Sequence, residues 1–121
     1  MRFLFLEARP FSLRVSDFLT PEAYREVQNW ILEQPDAGAV ITGTGGARKL
    51  RVPSVLQGKG KRGGCRVVYL AVPEASLIYL FAIYGKTKKD DLTAQERAEL
   101  KVLTRAIREK SALWFMKGRR N

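Results

Sequence analysis

Histidine is absent from the 121 residues. Without an imidazole there is no Ser/His/Asp triad, no His-activated thiol and no histidine pair for hydrolysing RNA. Cysteine occurs once, at Cys65, which excludes an internal disulfide and a cysteine-based zinc site. A thiol between Gly64 and Arg66 has cations near enough to lower its pKa, but with no histidine base to activate it a nucleophilic role for Cys65 is not expected. Carboxylates are missing from the whole stretch between Asp36 and Glu74, so a hard metal ion has no clustered oxygen ligands there. Asp90-Asp91 alone makes a poor metal site, and no cofactor is expected. Long apolar runs are missing too. Phe3 to Leu6 is shorter than the ~7–15 residues of a signal-peptide core, and nothing approaches the ~20 of a membrane span. A cytoplasmic protein without a membrane partner is the expectation.

What remains is positive charge. Lysine and arginine number 22 against 12 acidic residues, a net charge of +10, which bears on partners and association rates rather than on fold. Seven of these cations lie in RKLRVPSVLQGKGKRGGCR, residues 48–66: Arg48, Lys49, Arg51, Lys59, Lys61, Arg62 and Arg66. Glycines crowd both ends, at 43, 45 and 46 and at 58, 60, 63 and 64. Glycine lets backbone approach a bulky ligand, and a polyanion relieves the mutual repulsion of the cations. Nucleic acid fits both features, because each neutralised phosphate releases counterions. The alternative, a merely solvated charge run, is weakened by the missing carboxylates and by the position of the cluster beside the best strands.

The glycines match two phosphate-loop patterns only superficially. Gly58-Lys59-Gly60-Lys61-Arg62-Gly63 satisfies G-x-G-x-x-G, yet a loop precedes it, a strand follows, and the residues about 20 positions on are apolar. Neither glycine cluster runs into Gly-Lys-Ser/Thr, so a P-loop is excluded as well.

Periodicity gives the order β-α-β-β-β-α within one domain spanning 1–121. Residues 2–7 form a first strand. Thr20 caps a helix with Pro21 at its first position, its apolar face being Tyr24, Val27, Ile31 and Leu32, and it stops before Pro35. Residues 39–42 and 47–52 are extended, and 53–64 form a loop. Residues 66–72 and 77–84 are the strongest strands, apolar on both faces and therefore covered on each side. The short turn at 73–75 makes them a hairpin. By alternation Tyr69 and Tyr79 point into the sheet interior. Thr93 and Glu96 form a capping box opening a helix whose stripe is Leu100, Leu103 and Ile107, with Glu96, Arg97, Lys101, Arg105 and Arg108 toward water. Trp114 and Phe115 either continue the core or form an exposed patch. The fold class is α+β: a small antiparallel sheet with helices packed against it.

RNA carries its own nucleophile, the 2′-OH. An enzyme need only align it with the adjacent phosphate, move two protons and stabilise extra negative charge. A lysine crowded among arginines is held below its ordinary pKa and can act as acid or base, and arginine binds phosphate bidentately.

Three ordered segments carry a resemblance: GTGGARKLR (43–51), GKGKRGGCRVVYL (58–70) and IYLFAIYGKTKKDDLT (78–93). Together they resemble the RelE/HigB-type toxins of bacterial toxin–antitoxin systems, nearest the HigB-like branch, over roughly residues 17–108. The resemblance implies a RelE-like fold, a small twisted antiparallel sheet with two N-terminal helical segments and a C-terminal helix. It also implies ribosome-dependent, metal-independent cleavage of mRNA by 2′-OH attack. Implied partners are a cognate, HigA-like antitoxin, the ribosome and mRNA, with operator DNA reached only through the antitoxin. By motif position Arg66 would stabilise the transition state. Lys49 and Arg51 would bind phosphate, Lys59 and Lys61 would lie on a loop above the site, Lys86 would complete the cationic set, and Tyr84 would support or stack on a base. The expected catalytic set is thus Arg66, Lys61, Lys86 and Tyr84, with Arg48, Lys49, Arg51, Lys59 and Arg62 binding RNA. No tyrosine follows Tyr84, although some relatives use one near the C-terminus, so the base stays open between a lysine and a ribosomal group. A non-catalytic RNA- or ribosome-binding module is the alternative.

Overall fold

In the computed structural model, which describes residues 3–57, 64–85 and 92–119, the two apolar runs form the centre of a five-stranded sheet. The strands are β1 (Leu4–Glu7), β2 (Ala39–Val40), β3 (Arg48–Val52), β4 (Cys65–Val72) and β5 (Leu77–Gly85), ordered β1-β5-β4-β3-β2. All neighbours are antiparallel except β1 and β5, which pair in parallel from Leu4 opposite Leu77 to Glu7 opposite Leu80. The helices are α1 (Arg9–Phe18), α2 (Pro21–Glu33), the single turn α3 (Ser54–Gln57) and α4 (Ala94–Arg119). No helix of the described residues is long and apolar enough to cross a membrane.

Alternation in β4 divides the core as its sequence requires. Val67 and Tyr69 join Leu50, Val52, Ile78, Leu80 and Ile83 beneath α1 and α2, against Phe11, Leu19, Val27 and Ile31. Val68, Leu70 and Val72 face the other way with Ala47 and Phe81, toward Leu100 and Ile107 of α4. Both central strands are therefore covered on both faces, as their continuous apolar runs demand.

The helix starts follow local chemistry. The Thr20 Oγ1 accepts from the Ala23 N–H at 3.1 Å, and α2 ends at Glu33 with Gln34 as its C-cap, immediately before Pro35. At α4 the capping box is reciprocal: the Thr93 N–H donates to Glu96 Oε1 at 2.8 Å and the Glu96 N–H to Thr93 Oγ1 at 3.1 Å. The first helix, α1, has no such cap; Ala8 precedes it and offers no side-chain bond. It is tied down instead by Glu7, whose two carboxylate oxygens accept from Ser12 Oγ and Tyr24 Oη, each at 2.6 Å. Burial, and then the Glu7 carboxylate, raise the Tyr24 hydroxyl above its ordinary pKa, so it remains a donor.

Tyr69 is structural, as alternation implied. Its hydroxyl donates to the Pro35 carbonyl at 2.8 Å and accepts from the Gly38 N–H at 3.0 Å, fixing the α2–β2 turn onto β4. Tyr69→Phe leaves these buried backbone groups without that partner and is expected to cost about 1–3 kcal/mol, read from a urea unfolding midpoint at unchanged slope.

Two sequence readings of α4 are corrected. Leu103 is 48% exposed and the buried residue is Thr104, at 1%. Both leave an i, i+3/i+4 stripe with Leu100 and Ile107; hydrogen bonding decides, because Thr104 Oγ1 donates to the Thr44 carbonyl at 2.7 Å. Arg97, read as facing water, turns toward the sheet, while Arg108 remains partly exposed at the 73–75 turn. Arg97 Nη1 reaches the Thr42 carbonyl at 3.5 Å, and Arg108 pairs with Glu74 at 4.0 Å. The helix backbone runs on through Trp114 and Phe115, whose side chains lie outside what the structure describes.

Candidate nucleic-acid interface

Register brings the site together. Arg51 on β3 lies opposite Arg66 on β4, and Arg66 lies opposite Tyr84 on β5. Lys49, two residues before Arg51, shares its face and sits opposite Val68, which in turn faces Ala82. All belong to the α4 side of the sheet, since their neighbours Leu50, Val52 and Val67 occupy the other side.

Tyr84 is on this face only because β5 is bulged. Val68 pairs with Ala82 but Tyr69 pairs with Leu80, so Phe81 is an extra residue. A bulge reverses the alternation beyond it. Before it Ile78 and Leu80 face α1 and α2; after it Ile83 does, which turns Tyr84 to the α4 side.

Beside this row is a cleft of about 280 Å³ lined by Lys49, Arg51, Tyr84 and Arg97 with Ile41, Thr42 and Leu92. Three cations and no carboxylate line it among the described residues. Arg66, between Arg51 and Tyr84 in the row, is only 7% exposed, and its Nη1 donates to the Cys65 carbonyl at 3.5 Å. Two arginines directly opposite on one face repel each other.

Arg97 was not anticipated from the sequence. It lies one turn into α4 and three residues before Leu100, on the stripe continued by Thr104 and Ile107, so position on the helix gave a signal that residue type concealed. Its Nε is buried and makes no hydrogen bond.

The other expected residues divide. Arg48 points away from the cleft: its Nη1 donates to the Gly38 carbonyl at 2.8 Å and the Asp36 carbonyl at 3.3 Å, holding the α2–β2 turn. Lys59, Lys61, Arg62 and Lys86 lie outside the described residues. Cys65 is fully buried, and burial pushes its thiol up to about 11 against the opposing pull of Arg66. Desolvation outweighs the neighbouring cation, so the thiol stays protonated near neutral pH and is no nucleophile.

The glycines also acquire a different role. A Cβ on Gly45 (φ +78°) would collide with Thr104 Oγ1, and one on Gly46 would come within 2.9 Å of the Arg108 guanidinium. These positions admit α4 rather than a ligand. Among the described residues no three histidine, cysteine or acidic side chains are grouped as metal ligands.

No protein-family model matches the chain. Among solved structures, the fold is similar to that of the E. coli toxin RelE, determined in the free state as a double arginine-to-alanine mutant. The two agree with a TM-score of 0.51 over 86% of this chain and 98% of that one, at 16% sequence identity. The likeness is one of fold: an α+β architecture of RelE-like type.

Proposed function

We propose that the chain is the toxin of a toxin–antitoxin pair, a ribosome-dependent mRNA endonuclease of RelE/HigB type. The observation that carries this is the single row Arg51–Arg66–Tyr84 beside Lys49 and Arg97, on one face of a RelE-like sheet. In this reading the RNA 2′-OH attacks the adjacent phosphorus and the 5′-oxygen leaves, giving a cyclic phosphate. Arg66 and Arg51 stabilise the charge that accumulates on the non-bridging oxygens, and Lys49 and Arg97 hold the flanking phosphates. Tyr84 supports the nucleotide at the cut. Lys61 and Lys86 complete the catalytic set on sequence grounds, the base for the 2′-OH proton being a lysine or a ribosomal group.

Primer extension on a defined mRNA, with and without translating ribosomes and with EDTA present on naked RNA, tests the reading. Cuts that require ribosomes are expected. Cuts on naked RNA retain the nuclease and remove the ribosome requirement; no cuts, with translation still inhibited, favour a non-catalytic ribosome-binding module. The resemblance implies a HigA-like antitoxin as partner, and the charge of the cleft is met if that antitoxin brings acidic residues over it.

Arg97→Ala is expected to lower cleavage about tenfold through weaker binding, the loss of one charge-assisted contact. Because it holds a flanking phosphate, the loss should appear in KM more than in kcat. An unchanged KM would remove Arg97 from the site.

A further inference from the structure

A second pocket, about 190 Å³, adjoins the cationic cleft and shares Tyr84 and Leu92 with it. Its other walls are Pro10 and Arg14 of α1, Ala82 and Ile83 of β5, and Glu96 at the start of α4. The two chambers differ in chemistry: one carries three cations, the other a largely apolar wall with one cation and one carboxylate. We propose that this pocket is a nucleobase subsite, holding the base of the nucleotide whose phosphate occupies the cationic cleft. The inference rests on the RNA reading above and deepens it.

Three observations converge. Phosphate and base are joined through a single ribose in RNA, and the charged and apolar chambers are adjacent across one tyrosine. An aromatic ring at such a boundary offers a stacking surface to any base. Second, β1 pairs with β5 only as far as Leu80, so among the described residues no strand covers the outer edge of β5 from Phe81 to Gly85. Backbone donors and acceptors on a strand edge that no strand pairs suit the mixed donor and acceptor edge of a base. Third, Arg14 supplies a donor within the same lining, and Glu96, whose Oε1 already accepts from the Thr93 N–H, adds a carboxylate, at positions set by two different helices. A base needs such sparse polar groups within an apolar slot.

The probe is a short single-stranded RNA with one 2-aminopurine and 2′-O-methyl sugars that block self-cleavage, titrated at low salt. Anisotropy reports affinity and fluorescence reports stacking. With the wild-type chain, binding with strong quenching is expected. Ala82→Met, which fills the pocket, should abolish the quenching while affinity falls only a few-fold, about what one lost stacking contact is worth. Arg51→Ala should do the reverse, losing affinity with full quenching at saturation. Arg14→Ala, on an exposed helix surface where folding is little affected, should weaken affinity about fivefold and reduce purine–pyrimidine discrimination. Quenching in Ala82→Met equal to wild type, with Arg14→Ala indistinguishable from wild type, overturns the subsite but leaves the cationic cleft intact. Failure of the wild-type chain to bind the RNA at all overturns the subsite, while the ribosome-dependent reading stands or falls on primer extension.

Discussion

Arg66→Ala is expected to lower ribosome-dependent cleavage by about 100-fold or more, the usual effect of removing a donor aimed at developing negative charge. At about 1.4 kcal/mol per tenfold this corresponds to roughly 3 kcal/mol of transition-state stabilisation. The fold should survive. Arg66 lies opposite Arg51 in the β3–β4 ladder, and its removal relieves a like-charge pair, offsetting the packing lost at a position 7% exposed. The melting temperature should therefore stay close to wild type, and the defect should persist at saturating ribosomes, marking a loss in the chemical step. Arg66→Lys keeps the charge but not the planar fork, so partial recovery is expected. Wild-type cleavage by Arg66→Ala would remove Arg66 from the catalytic set.

The legible parts of the fold were those encoded locally. The continuous apolar run in 66–72 requires cover on both faces, and Val67 and Tyr69 lie in one core while Val68 and Leu70 lie in the other. Thr20-Pro21 and Thr93–Glu96 announced two helices because caps act within one turn. The helix α1 was not read from its own residues, since it has no side-chain cap and buries only Phe11; what holds it is Glu7, reached through folding. The parallel pairing of β1 with β5 was equally invisible, because residues 4–7 and 77–80 are far apart in sequence.

For the site, the sequence gathered the cations but not their geometry. Arg48 and Lys49 are adjacent, yet strand alternation sends the first to the α2–β2 turn and only the second to the cleft. Arg97 looked solvated because arginine on a helix usually is. Nothing local marked the bulge at Phe81, which decides the face on which Tyr84 stands. The glycines were attributed to a ligand's approach, but at Gly45 and Gly46 the close neighbour is α4. Glycine signals close approach without saying what approaches.

Gly64 is where that approach matters most to the site. Its φ of +70° disfavours any side chain, and a Cβ there would collide with the Val52 carbonyl oxygen and come within 3.3 Å of the Ser54 nitrogen. A backbone carbonyl cannot rotate aside, so Gly64→Ala must displace the strand end itself. Left-handed backbone costs roughly 1–2 kcal/mol for alanine, and the displaced contact adds to it. A fall in melting temperature of roughly 10 °C is expected for a domain of this size. Gly43 is the control: its φ is +81°, but a Cβ there meets nothing within 4 Å. Gly43→Ala should therefore show the backbone cost alone, a drop of a few degrees. The same comparison bears on activity, because Val52 pairs with Cys65 one step from Arg51 opposite Arg66. Gly64→Ala, assayed well below its midpoint, should cleave poorly even when folded, whereas Gly43→Ala should cleave like wild type. Equal melting of the two variants would mean that β3 and β4 do not close on Gly64. Equal cleavage would mean that the spacing of the two arginines is not set there.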